Sequence, residues 1–427
     1  MHELSQMIKD DMKPALGVTE PGAIAFAVAK ARSFTKGDIK KVNVAMNSGM
    51  YKNAFTCGIP NSNEVGNVFA AALGVVAGNA DKGLESLADV TPEDNVKAQE
   101  MIDQVTVELS GITSRIFIEA TVETEEDKAI VTIRDSHTNI TKITVNDKVE
   151  LETEDEKKTE EDGGEEEAHS IHKYTLQQLY DYVTTVDIEE IRFINEAYKV
   201  NLELFHEGLE NPRTTFARQL LAINNGKEVS DDEQKTASLM CNAAIEARVI
   251  GLDKPAMSIT GSGAHGIIAT MPLYAAYKVN GYTEEQLLRA TALSYLVCMY
   301  IKEYSGRLSA FCGCAIAAGS GMACALVYLR GGTVEMMAHT LNNMASSITG
   351  MICDGGNQGC TMKGVAAVDA AYKSVEFAMN GIYISEVHGI NGNTPEETMR
   401  NMGLIASPGM VGTEKTIVEI FEDKLKK

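Results

Sequence analysis

The chemistry-bearing residues of this 427-residue chain concentrate in one stretch, Ile352-Cys353-Asp354-Gly355-Gly356-Asn357-Gln358-Gly359-Cys360-Thr361-Met362-Lys363. Two cysteines, seven residues apart, bracket three glycines and no bulky apolar side chain. Gly, Asn and Asp favour turns over helix interiors, so the stretch predicts a tight loop that presents two thiols at one point. Cys312 and Cys314 lie about forty residues upstream. Three or four cysteines converging from two loops can hold zinc or an iron–sulfur cluster. The spacing is not the close Cys-x-x-Cys of a zinc knuckle, so structural thiols stay an open reading for Cys353 and Cys360. If a metal is bound, soft thiolates without a well-placed histidine favour iron–sulfur over catalytic zinc. Cys241, Cys298 and Cys324 fall on apolar helical faces and read as buried, inert thiols. Cys57, beside Gly58-Ile59-Pro60, is undecided.

Other polar clusters stand at turns. Thr260-Gly261-Ser262-Gly263-Ala264-His265-Gly266 opens a helix. Backbone N–H groups at such a start suit a carboxylate or phosphate, and a plain glycine turn is the alternative. It is not a Walker sequence, since no Lys-Ser/Thr pair follows. Arg307, five residues before Cys312, suits a substrate carboxylate by bidentate pairing or is a surface charge at a helix end. Glu20 and Lys52 sit in Gly- or Pro-marked turns, where a solvated charge is the alternative to a catalyst. His137-Thr138-Asn139-Ile140 faces either a site or a strand-end hydrogen bond.

These residues need a scaffold, and the composition bounds it. The chain is long enough for two or three domains with buried cores. Hydrophobic residues make up 44%, aromatics only 6%, and Trp is absent, which predicts closely packed small-residue helices. A net charge of −22 argues against nucleic acid, whose phosphates demand basic clusters. The N-terminus lacks a secretory pattern, and the uncharged run Leu308–Leu329 is too rich in Ala and Gly for a bilayer span. We therefore expect a cytoplasmic protein with reduced cysteines and neither membrane nor nucleic-acid partner, and a homo-oligomer is left open.

The pattern along the chain predicts an α+β fold. Residues 1–151 read as N-terminal helices with a small, mostly antiparallel sheet. Helical spacing marks about 4–13, 22–34, 64–79 and 94–108, with a strand at 42–46. From 114 to 151 the period is two, an antiparallel meander. Residues 152–167 hold ten acidic residues and two lysines, a net of −8, so 152–170 reads as a solvated linker. Residues 171–427 read as a large all-α domain carrying the cysteine cluster. Capping boxes are expected at Thr175/Gln178, Thr283/Gln286 and Thr394/Glu397.

Several of these segments together resemble the L-cysteine desulfidase family, which is related to the alpha part of bacterial iron–sulfur L-serine dehydratases. They are Ala15-Leu16-Gly17-x-Thr19-Glu20-Pro21, Lys52-Asn53, His137-Thr138-Asn139-Ile140, Gly261-Ser262-Gly263, Ala269-Thr270-Met271-Pro272, Arg307-Leu308-Ser309-Ala310-x-Cys312, and Met351-Ile352-Cys353-Asp354-Gly355 with Cys360. The resemblance runs nearly end to end. It implies a [4Fe-4S] cluster on Cys312, Cys353 and Cys360, no pyridoxal phosphate, and breakdown of L-cysteine to pyruvate, ammonia and sulfide. It implies a small amino-acid substrate met by Lys52, Asn53, His137, Thr138, Asn139, Gly261, Ser262, Gly263 and Arg307. Glu20, His265 and Lys363 are the candidate bases. L-Serine dehydration, or a cluster- or zinc-binding scaffold without catalysis, are the alternatives. One position departs: Val18 stands where the family usually has Cys. Cys314 either replaces that thiol, if Gly313 turns the backbone out of helix, or opens the next helix and packs in its core.

Overall fold

The computed structural model describes residues 1–153, 170–306 and 308–426. The expected linker thus falls, from 154 to 169, outside the described residues, as does Arg307. Helix α1 (Glu3–Asp11) leads into strand β1 (Lys13–Leu16), then α2 (Thr19–Arg32), β2 (Ile39–Asn47) and α3 (Ser48–Ala54). Helices α4 (Asn67–Ala77) and α5 (Pro92–Glu100) follow. Strands β3 (Val105–Gly111), β4 (Phe117–Thr124), β5 (Lys128–Arg134), β6 (Ile140–Val145) and β7 (Lys148–Glu152) complete a six-stranded sheet in the order β3-β2-β4-β5-β6-β7. Alternation sets its buried face: Val42, Val44 and Met46 line up with Ile118, Ala120 and Val122 and with Ala129, Val131 and Ile133. Helix α2, buried along most of its length, packs across β4 and β5.

From residue 170 the chain is helical, as expected. Its packed centre is Glu233–Val249, Gly263–Asn280, Glu284–Ser305, Gly319–Leu329 and Gly359–Met379. Small residues let these helices touch backbone to backbone. A Cβ on Gly321 would stand 2.2 Å from the Ser294 carbonyl oxygen. Reciprocal capping boxes form at Thr175/Gln178 and Thr283/Gln286. At Thr394 only half forms, because the Glu397 carboxylate accepts from the Asn393 amide.

Three expectations need correction. The helix expected over 94–108 ends at Glu100, and Val105–Gly111 is a strand, parallel to β2. Val105, Val107 and Leu109 alternate with Thr106, Glu108 and Ser110, a period of two joined directly to a helical one. Residues 13–16, expected as the end of a helix and a turn, form β1. Its partner is β8 (Pro255–Ser258), a strand inside the region expected to be all helical, with Lys13 opposite Ser258. Four-residue strands carry too little periodicity to be read from sequence. Residues 187–207, whose spacing predicts one continuous helix, divide into Ile188–Ile191, a tight turn at Arg192–Ile194 and the main helix Asn195–Glu210.

Substituting Gly321→Ala should destabilise the protein by roughly 1–3 kcal/mol or more, since the clash is with rigid backbone. Gly350→Ala, whose Cβ would meet nothing within 4 Å, should be near neutral. Chemical denaturation of the two variants checks this.

Candidate active site

Two backbone pairings build the site. The first is β1 with β8. It sets the start of α2 beside the loop Ile259–Ser262 that opens the helix Gly263–Asn280. The Thr260 amide donates to the Asp11 carboxylate, and the Ser258 hydroxyl donates to the Lys13 carbonyl at 2.6 Å. The second is a single antiparallel bridge between Phe311 and Ile352. Around it the Cys312 amide donates to the Met351 carbonyl at 3.0 Å, and the Cys353 amide to the Ala310 carbonyl at 2.6 Å. The two cysteine loops are therefore one stitched unit.

Lys52 locks that unit. Its ammonium, 1% exposed, donates to the carbonyls of Ser309 (3.0 Å) and Cys353 (2.9 Å), one from each loop. Glu414, from the helix Val411–Leu425, stands 3.6 Å away and accepts from the Ser48 hydroxyl at 2.7 Å. Burial pulls the Lys52 pKa down, but Cys353, Glu414 and Glu20 outweigh it and leave it above the usual lysine value. Next to it, the Gly356 amide donates to the Asn53 carbonyl, and a Cβ on Gly355 would stand 2.4 Å from the Lys52 carbonyl oxygen. The glycines in the cysteine loop are thus required by its approach to α3.

These pairings enclose a cavity of about 100 Å³. Glu20, Asn53, His137, Gly261, Ser262, His265, Cys353 and Cys360, all singled out from sequence, line it together with Val18 and Cys314. Cys312 lies buried beside it, with Sγ 3.6 Å from Cys314 Sγ. The reason for that contact corrects the sequence argument. Gly313 has helical angles (φ −54°, ψ −36°). The residue outside the helix is Cys312, whose amide is held by the Met351 carbonyl, and this lets the two thiols meet. Gly313 is small for another reason: a Cβ there would stand 2.7 Å from His265 Nε2. The Cys312–Cys314 hydrogen bond lowers the Cys314 thiol against its burial, with help from Lys363 and Arg248, and raises Cys312. Burial pushes Cys360 up to about 12.

The carboxylate and imidazole environments differ. Burial would raise Glu20, but His137, with Nε2 3.9 Å from Oε1, and the Asn53 amide, donating at 2.8 Å, hold its carboxyl at about 2. At these distances Asn53 supplies the hydrogen bond and His137, when protonated, supplies charge. Burial, then the Lys302 and Arg248 charges, hold His265 at about 3, so its imidazole is neutral. Its Nδ1 and the Thr260 hydroxyl share a hydrogen bond. The Thr260 hydroxyl oxygen stands 2.7 Å from the Ile259 carbonyl oxygen; its one proton, donated there, leaves Nδ1 as donor and Nε2 with a lone pair beside Gly313.

Other expected site residues lie elsewhere. Lys52 spends its ammonium on the loops and does not line the cavity. Asn139 donates to the Arg134 carbonyl at 3.1 Å and closes the β5–β6 turn, and the Thr138 methyl lies near Gly83. Gly263 lies behind the cavity, against Arg248. Lys363 pairs with Asp354 and does not line the cavity; burial lowers it, but that pairing raises it well above the usual value. Sequence reasoning missed Arg248 and Lys302, both buried cavity-lining cations. Burial pulls Lys302 down to about 8, with the Cys298, Cys353 and Cys314 thiols opposing. Each sits at the end of an otherwise apolar helical run, and that is the signal that could have found them.

A larger cleft of about 600 Å³, between Asn61, Asn95, Glu207, Arg213 and Asp253, gathers no thiol and no histidine. The chemistry therefore belongs to the smaller cavity. The profile of the serine dehydratase alpha chain family matches residues 81–419. The chain belongs to that family. It is 40% identical to a UPF0597 protein of Clostridium botulinum, over 98% of each chain. It is 37% identical to one of Caldanaerobacter subterraneus (99% of this chain, 98% of the other) and 33% to one of Bacteroides fragilis (99% and 98%). The serine dehydratase alpha profile spans His137, His265 and all four site thiols; Glu20, Lys52 and Asn53 precede it. Membership supports a lyase of dehydratase type, and serine dehydratases are generally iron–sulfur dependent. Among the described residues no helix is long and apolar enough to cross a membrane.

Among the described residues no three His, Cys, Asp or Glu side chains converge on a point suited to a single metal ion. Each thiolate of a four-iron cluster binds its own iron, so the ligands stand apart around it. Soft thiols from two stitched loops around one buried cavity fit such a cluster.

Lys52→Met should cost roughly 3–5 kcal/mol, because it strands the buried Glu414 carboxylate and two carbonyls. Glu20→Gln tests the other charge. The Glu20 pKa falls from 4.5 to about 2 on folding, so its contribution is present above about pH 4.5 and is lost as pH falls toward 2. The stability gap between native protein and Glu20→Gln should therefore shrink over that window, from at most about 3 kcal/mol. Denaturation midpoints against pH check both.

Proposed function

We propose that the cavity carries out β-elimination on a small L-amino acid, converting L-cysteine and water to pyruvate, ammonia and sulfide. The observation that carries this reading is the meeting of the thiols with an ionised carboxylate, a neutral histidine and the glycine loop in one buried cavity. Cys312, Cys353 and Cys360 would hold a [4Fe-4S] cluster. When bound, it supplies Lewis-acid assistance to departure of the β-substituent.

The protein residues supply the rest. Glu20, anionic and fixed by Asn53, binds the substrate ammonium. The Ser262 amide already donates to the Ile259 carbonyl, so the first amides of the helix Gly263–Asn280 are the ones that meet the carboxylate. His265 removes the α-proton through Nε2, since Nδ1 is engaged by Thr260. The electron pair of the broken C–H bond forms the Cα–Cβ double bond as the β-substituent leaves with its own pair. The resulting aminoacrylate takes up water and gives pyruvate and ammonia. Burial keeps bulk water from the carbanion-like transition state and strengthens the charges around it.

A second reading, dehydration of L-serine, is favoured by the family that the profile identifies. The two are separated by supplying each amino acid to anaerobically reconstituted protein and measuring pyruvate and sulfide. Sulfide and pyruvate in equal amounts from L-cysteine, faster than pyruvate from L-serine, is expected. Faster turnover of L-serine gives the second reading, and no product from either leaves a scaffold. His265→Gln should lower kcat by about 10²–10⁴-fold with iron content retained.

Cys314 takes the place of the thiol absent at Val18 in this reading. Cys312→Ala should lose most of its bound iron. Cys314→Ala should keep the iron and lose turnover, and adding Val18→Cys should restore part of it. Iron and sulfide assays with steady-state rates check the series; full turnover in Cys314→Ala removes that role.

A further inference from the structure

Arg248 is the cavity-lining group that the pairings above leave unexplained. It stands in the last turn of the helix Glu233–Val249, is 5% exposed, and lines the cavity beside Thr260, Gly261 and Ser262. Its Nε is buried with no hydrogen-bond partner among the described residues. Among those residues it makes no ion pair with a carboxylate. Its chain neighbour Glu246 is fully used, accepting from the amides of Thr215, Phe216 and Ala217. A buried, unpaired cation costs several kcal/mol, so an anion that reaches it is bound strongly.

A second donor set meets the first. The eighteen-residue helix Gly263–Asn280 begins at Ser262, whose side chain gives it no cap. Its first amides are left without intrahelical partners. Gly263 brings this start against the guanidinium: a Cβ there would stand 2.7 Å from Arg248 Nε and 3.2 Å from Cδ. A guanidinium fork next to the positive end of a helix fits a planar oxyanion with two oxygens. A cavity of about 100 Å³ admits a small molecule and not a nucleotide. Glu20 lines the same cavity and offers an anion to an ammonium.

We propose that Arg248, with the uncapped start of the helix Gly263–Asn280, is the carboxylate-binding group of this cavity, and that its ligand is the free α-carboxylate of a small amino acid. This deepens the β-elimination reading and takes its substrate class from it. Arg248 positions the α-carbon, and neutralising the carboxylate also favours loss of the α-proton.

The test uses L-alanine, which carries no β-leaving group, and L-alaninamide, which lacks the carboxylate. Both are titrated calorimetrically into the reconstituted full-length protein. The native protein should bind L-alanine at least about 100-fold more tightly than L-alaninamide, because a built charge site rejects the neutral isostere. Arg248→Met should weaken L-alanine binding about 100-fold with iron content unchanged, and Arg248→Lys should fall between, since it keeps the charge and loses the fork. Three results overturn the proposal: no binding of L-alanine to native protein, equal binding of acid and amide, or Arg248→Met binding L-alanine as the native protein does. Loss of iron in Arg248→Met overturns it too, by making the residue a charge balance for the metal. If Arg248→Met fails to fold, the native acid–amide comparison and Arg248→Lys decide. Pyruvate formation is assayed on the same preparations. Its absence beside normal acid–amide discrimination removes the elimination reading and leaves the Arg248 assignment standing.

Discussion

The site depends on one buried ammonium. Lys52 reaches from the short helix α3 and takes a carbonyl from each cysteine loop. Each loop runs into a helix at its far end, at Gly313 and at Gly359, but among the described residues the two loops pair with each other only through the Phe311–Ile352 bridge. Such a bridge alone would fray, because it fixes several torsions for two hydrogen bonds. A charge-assisted donor buried against both carbonyls makes the arrangement singular. Cys353, Glu414 and Glu20 together keep the ammonium charged inside the protein, and the contact with Glu414 ties the helix Val411–Leu425 to the fold of the thiol site.

The same economy of support recurs on the other wall. β1 and β8 are four residues each, yet they bring the start of α2 and the start of the helix Gly263–Asn280 to one place. Two helix N-termini then point their first turns toward the cavity, one carrying Glu20 and the other the Gly261-Ser262 loop. The glycines serve contact as much as flexibility. Gly355 and Gly356 admit the backbone of α3 and the Val18 side chain, and Gly313 admits the His265 ring. Side chains at these points would push apart the groups that the pairings bring together.

Much of this was legible in the sequence. The thiol loops, Glu20, Asn53, His137, the glycine loop and His265 were marked by turn chemistry and by resemblance, and they share a cavity. Long helices were readable because capping boxes and periodicity agree. The resemblance assigns Lys52 to the substrate, and its turn setting alone reads as a solvent-facing charge; that it is 1% exposed is a tertiary fact. Arg248 and Lys302 were overlooked for the opposite reason. They close apolar helices, where a terminal cation reads as a partner for the helix dipole. β3 was hidden because its two-residue period follows a helix without a turn signal between them.

Val18 and Cys314 reach one cavity from two different elements. Val18 sits at the start of α2 with its side chain against Gly356, so position 18 reaches the thiol loop from the β1 side. Cys314 lines the same cavity from the start of the helix that follows the Phe311–Ile352 bridge. It does so because the Cys312 amide is tied to the Met351 carbonyl, beside the Phe311–Ile352 bridge, before the helix begins at Gly313, which breaks the roughly 200° separation that two positions on one helix would impose. A thiol at either position faces the same enclosed space, but the surroundings differ. Position 18 is flanked by the Glu20 carboxylate, whose negative charge raises a nearby thiol. Cys314 lies where Cys312, Lys363 and Arg248 lower it. Cys314 thus lies where its neighbours favour the thiolate, while position 18 carries an apolar side chain packed against Gly356 at the edge of the same cavity.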